Sequence, residues 1–81
     1  MIIKVEMRTS VGTQSGTYEN STTTVRQVLE DFEVDYENPK AVTNINGAAL
    51  KPGDADKTFA ELGIDRDVRI ASVIKGDGAG N

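Results

Sequence analysis

One stretch of this chain repeats with the period of a helix, and that stretch is amphipathic. Val25, Val28, Leu29 and Phe32 stand at i, i+3, i+4 and i+7, a single apolar stripe among polar neighbours. A helix this short gains most of its stability by burying such a stripe against other elements. Thr24, with Gln27 three residues later, has the capping-box spacing that satisfies two otherwise unpaired backbone donors. Fraying is expected over residues 33–36, and Asn38-Pro39 stops any continuation. The remaining chain must supply the surface that covers the stripe.

That remainder has the period of strands. Across residues 2–9, Ile3, Val5 and Met7 alternate with Lys4, Glu6 and Arg8, which predicts a strand with one buried face. Residues 10–13 form a turn, and residues 14–19 a polar, Gly16-containing strand suited to a sheet edge. Residues 41–45 return as a strand, and Asn46-Gly47 supplies the positive φ angles of a tight hairpin leading into a very short strand at 48–50. Lys51-Pro52-Gly53-Asp54 is a turn; Thr58 and Glu61 repeat the capping-box spacing, and Gly63 closes a single helical turn. The last strand covers residues 68–74. There Val68, Ile70 and Ile74 share one parity and Val73 has the other, so a bulge near Ala71-Ser72 is expected. One helix across one face of a mixed sheet is an α+β two-layer domain. Residues 1–75 form that domain, and residues 76–81 a flexible C-terminal tail with nothing to bury.

Composition narrows the chemistry. The chain has 81 residues, no Cys and no His, which removes disulfides, thiol nucleophiles, histidine bases and ordinary zinc sites. Ser and Thr hydroxyls have no histidine to activate them, and no lysine sits in a desolvating apolar stretch. No catalytic residue, cofactor or metal is therefore expected. A net charge of −4 disfavours nucleic acid. With no leader and no membrane-length apolar run, a cytoplasmic monomer is expected, and the acceptor pattern at Asn20-Ser21-Thr22 is read as coincidence. The acidic residues Glu30, Asp31, Glu33, Asp35 and Glu37 include no base and read as a solvated face.

Thr24-Val25-Arg26-Gln27-Val28-Leu29 resembles the start of the helix in ubiquitin and in the thiamin and molybdopterin sulfur carriers. Ile45-Asn46-Gly47, Leu50, Lys51-Pro52-Gly53-Asp54, Thr58-Phe59, Leu62-Gly63-Ile64 and the final strand resemble the second half of that fold. The chain thus resembles the ubiquitin-like β-grasp family, a mixed sheet of four to five strands packed on one helix. The resemblance implies that the first and last strands lie parallel at the sheet centre. Lys4, Glu6, Arg8, Arg69 and Ala71 would then share one mildly basic exposed face. Ubiquitin meets receptors through an apolar patch on that face; here Asn44 takes the matching place with Arg69 beside it, so ordinary ubiquitin receptors are not expected. The function implied is a non-enzymatic protein-interaction module that docks through its sheet face, with Lys4, Arg8, Asn44 and Arg69 as contacts. The alternative is a covalent modifier or sulfur carrier. Such proteins end in Gly-Gly, whereas this chain ends Ala79-Gly80-Asn81, so trimming to Gly80 would be needed to expose a reactive terminus.

Overall fold

The computed structural model describes residues 1–51 and 53–74. Pro52 of the expected turn and the expected tail, Gly80 included, lie outside the described residues. In chain order the elements are β1 (Ile2–Thr9), β2 (Gly12–Glu19), α1 (Val25–Asp31), β3 (Ala41–Ile45), β4 (Ala48–Ala49), a 3-10 turn (Asp54–Asp56) and β5 (Val68–Ile74). The five strands make one sheet in the order β2-β1-β5-β3-β4. β1 and β5 pair in parallel, and every other pairing is antiparallel. No helix among the described residues is long and apolar enough to cross a membrane.

Alternation decides which side of the sheet is covered. Ile3, Val5 and Met7 of β1 and Val68 and Ile70 of β5 point inward, where they meet Val25, Val28 and Leu29 of α1 and Phe59. The three helix residues and Phe59 are fully buried, and Phe32 is half-buried at the rim of the same cluster. The helical stripe therefore faces the sheet, as its spacing predicts.

Both ends of α1 are fixed by hydrogen bonds. Thr24 Oγ1 accepts from the Gln27 N–H at 3.1 Å. The entry is stitched to the later chain as well: Val25 N–H donates to Lys57 O at 3.1 Å and Phe59 N–H to Thr23 O at 3.3 Å. At the far end the expected fraying does not occur. Val34 N–H donates to Leu29 O at 2.9 Å and Glu33 N–H to Glu30 O at 3.0 Å, the two bonds of a Schellman motif. The residue that turns the corner is Glu33, left-handed at φ 58. The turn after Thr58 ends the same way, with Ile64 N–H on Phe59 O at 2.8 Å and Gly63 N–H on Ala60 O at 2.9 Å. There the left-handed residue is Gly63, for which φ 78 carries no Cβ penalty. Both halves of that second capping box form, with Thr58 N–H on Glu61 Oε1 at 2.8 Å and Glu61 N–H on Thr58 Oγ1 at 3.1 Å.

Beyond the helix, Arg26 reaches back over the acidic loop. Its Nε donates to Asp56 Oδ1 and its Nη1 to the Tyr36 hydroxyl, both at 2.7 Å, and Glu37 Oε2 lies 3.8 Å from Nη1. The acidic stretch, without a base of its own, is thus tied to the 3-10 turn by a cation from the helix. Asn20 is buried and donates through Nδ2 to Ile64 O at 2.8 Å, so its amide is engaged in holding the fold.

Two expectations about strands change. β2 begins at Gly12, because the turn from β1 is only Ser10-Val11. β5 has no bulge: its register against β3 runs unbroken from Ala41↔Ile74 to Ile45↔Ile70. Ser72 instead occupies an inward position, 5% exposed, because its hydroxyl meets Thr43 Oγ1 at 3.0 Å. A satisfied hydroxyl can be buried at little cost, so the alternation continues and Val73 turns outward.

Leu29→Ala should cost on the order of 2–5 kcal/mol, a large part of the ~5–15 kcal/mol stability of an ordinary domain. Phe32→Ala should cost less because the rim is only half-buried; urea denaturation measures both. Glu33→Gly should stabilise by about 1 kcal/mol, since it relieves the left-handed strain and removes an anion from a helix C-terminus. A melting temperature unchanged or lowered in that variant would contradict the Schellman geometry.

Candidate protein-interaction face

No element among the described residues covers the side of the sheet away from α1, and the strand registers decide which side chains it presents. Glu6 stands opposite Arg69, and Arg8, Ala71 and Asn44 form one row across three strands. One row further, Val42 stands opposite Val73. Three of the four residues singled out from sequence, Lys4, Asn44 and Arg69, line a single open groove of about 700 Å³ together with Glu6, Asn46, Gly47, Asp67, Val68 and Ala71. Arg8 lies on the same face beside Ala71, outside that lining.

The groove has a rigid floor and a fixed end wall. The floor is the central parallel pair, held in register from Val5↔Val68 to Arg8↔Ala71. The wall is the β3–β4 hairpin, turned by Asn46 at φ 51 and Gly47 at φ 86, the positive pair that a two-residue hairpin requires. Asn46 clasps the neighbouring strand twice: its N–H donates to Arg69 O at 2.8 Å, and its Oδ1 accepts from the Arg69 N–H at 3.1 Å. Asp67 fixes the opposite side, its Oδ1 accepting from the Lys4 N–H at 3.0 Å.

Charge on the groove is balanced more evenly than the sequence implied. Arg69 Nε donates to Glu6 Oε1 at 3.0 Å across the parallel pair, and Asp67 adds a second carboxylate. Lys4 and Arg69 therefore face Glu6 and Asp67 within the lining, and the positive excess on this face sits outside it, on Arg8. The Glu6–Arg69 pair is solvent-exposed, with side chains 33% and 66% accessible. Such pairs contribute roughly 0.2–1 kcal/mol and act more on side-chain orientation than on stability.

Sequence reasoning missed Asp67, Asn46 and Val73 as parts of this face. Asp67 precedes the last strand and carries no periodic signal, and the role of Asn46 is visible only once the hairpin is seen against β5. A bulge near Ala71-Ser72 would turn Val73 inward; without one it is 43% exposed, and with half-buried Val42 and Ala71 it gives the face a small apolar end.

No family model matches the chain, and no curated protein matches it. Solved structures do. A ubiquitin-like protein from Trypanosoma brucei is 24% identical, with 93% of this chain and 96% of that one covered and a TM-score of 0.69. The ubiquitin of Caldiarchaeum subterraneum is 18% identical over 98% of this chain and 100% of its own, with a TM-score of 0.65. The ubiquitin-like domain of an Arabidopsis thaliana protein is 16% identical over 99% of this chain and 84% of its own, with a TM-score of 0.66. At these identities the likeness is one of fold. What these neighbours share with this chain is the ubiquitin-like β-grasp architecture, and that is the fold this chain has.

Proposed function

We propose that this ubiquitin-like module is non-enzymatic and works in the cytoplasm by docking a partner protein on its exposed sheet face. The observation that carries the reading is the open groove of about 700 Å³ over the central strands, set between the Asn46–Gly47 hairpin and Asp67. A groove on rigid strands binds without a cost for ordering its backbone. Its floor offers paired charges for register, and the Ala71, Val42 and Val73 end offers an apolar contact. Polar rims of this kind set on-rate and orientation more than affinity.

Lys4, Arg8, Asn44 and Arg69 are the proposed contacts. Lys4 and Arg8 are exposed, and neither has an ion-pair partner among the described residues. They can therefore be reversed without stranding Glu6. The covalent carrier reading rests on the resemblance and on Gly80, outside the described residues; intact mass of the natively expressed chain separates it, because trimming removes Asn81.

The test is quantitative affinity capture from the native cell with three baits. These are the parent, a Lys4→Glu, Arg8→Glu variant, and a control carrying Gln27→Lys and Glu30→Lys on the exposed side of α1. Proteins held by the parent and the control should fall at least tenfold on the sheet-face variant, a change of about 1.4 kcal/mol. Equal capture by all three baits would contradict the sheet-face reading.

A further inference from the structure

The two edges of this sheet are unlike each other. β4 is only two residues long, too short to template another strand. At the other edge β2 runs for eight residues, and among the described residues it pairs with β1 alone. Its register with β1 is one-to-one from Ile2↔Glu19 to Thr9↔Gly12, with no bulge to twist it away. Monomeric proteins blunt long edges with lysines, prolines, bulges or a covering element. β2 has no Lys, Arg or Pro, and α1 reaches it from the inner face, where the Tyr18 hydroxyl donates to Asp31 Oδ2 at 3.3 Å.

The side chains along this edge are neutral and complementary to themselves. Thr13, Ser15 and Thr17 alternate on the outer face, opposite Arg8, Glu6 and Lys4 of β1. The one charge on the strand, Glu19, lies at its end and is already engaged by the Met1 ammonium and by Ser21 N–H and Oγ, at 3.2 and 2.9 Å. We infer that β2 is a docking edge for a second copy of this chain, paired antiparallel with the β2 of its partner about a two-fold axis through Ser15 or Gly16. Centred on Ser15, the pairing sets Thr13 against Thr17 and Glu19 against Val11. Centred on Gly16, it sets Ser15 against Thr17 and Thr13 against Glu19. Neither register opposes a charge to a charge, and each brings a pair of hydroxyl residues together, Thr13 with Thr17 or Ser15 with Thr17, a favourable cross-strand combination. An isologous strand pair of this kind is closed, so the assembly stops at a dimer.

The contact is small. An eight-residue strand pair buries less than the ~1,000 Å² of a stable interface, so the dimer is weak and concentration-dependent. Each copy carries −4, and the pair repels at long range until salt screens it. The monomer expected from the sequence is then the form at low concentration, and the pairing is a reversible addition to it at high concentration. The two-fold axis stands perpendicular to the sheet, so both grooves would open on the same side. Where the sheet-face reading holds, a partner with two binding segments would engage them with avidity. The pairing itself does not depend on that reading.

The experiment is translational diffusion and amide chemical shifts by NMR on the full chain, from micromolar to millimolar protein, at low and high salt. Diffusion should fall toward the dimer value as concentration rises, more so at high salt, with shift changes confined to residues 11–19. Ser15→Lys and, separately, Thr17→Lys place a charge at the edge on exposed positions and should each shift the dissociation constant upward at least tenfold. Far-UV circular dichroism should remain that of the parent. Constant diffusion up to millimolar protein would overturn the proposal, and so would shifts centred on Val42 and Val73. Dimerisation unaffected by both lysines would overturn it too. A monomer whose β2 amides move only on adding an extended peptide would show that the edge serves a different occupant.

Discussion

The parallel pairing of β1 with β5 is the contact on which the rest of this molecule depends. Parallel neighbours cannot be joined by a tight turn, so the chain between Thr9 and Val68 has to travel a long way round before it returns beside β1. The first excursion is a hairpin that lays β2 on one side. The second is α1, which crosses the inner face and buries Val25, Val28 and Leu29 over Val5, Met7 and Ile70. The third brings β3 and β4 down the far side of β5. Without the central pair, α1 would have no continuous surface to cover, and the outer groove would lose its floor.

Closing that pair joins the two ends of the chain, which is a long-range and entropically costly event. The structure compensates with local devices that each fix a junction. Thr24 caps the helix, the Thr58–Glu61 box holds the later turn, and the segment around Thr58 is bonded directly to the helix entry through Lys57 and Phe59. Asn20, one of few buried polar residues, ties the exit of β2 to Ile64 just before β5. Local order thus delivers both strands to the place where they meet.

Much of this was legible in the sequence because it rests on periodicity and on residues with few alternatives. The alternation of Ile3, Val5 and Met7, the stripe of α1 and the Asn46-Gly47 turn are all of that kind, and the structure agrees on each. What was not legible depended on partners distant in sequence. Ser72 looks outward by composition and is buried because its hydroxyl is hydrogen-bonded to that of Thr43, 29 residues away. Glu33 gives no stop signal, since a left-handed cap is ordinarily a glycine, yet the two Schellman bonds end the helix there. On the candidate face, Lys4, Asn44 and Arg69 were brought together as the resemblance implied. The counter-charges Glu6 and Asp67, which make the groove nearly neutral, emerge only from the geometry of the paired strands.

Native-state hydrogen exchange measures the central dependence directly. Residues 5–8 of β1 pair with both β2 and β5, and Ile70 and Ala71 of β5 pair with both β1 and β3. If the parallel pair organises the fold, these amides should exchange only through global unfolding, at the free energy that denaturant melting gives. β2 and β4 should open earlier, by local fluctuation. Exchange of the 5–8 and 70–71 amides through a sub-global opening that leaves α1 and the β3–β4 hairpin protected would contradict the account. The helix and hairpin would then hold together without the strands on which this account rests them.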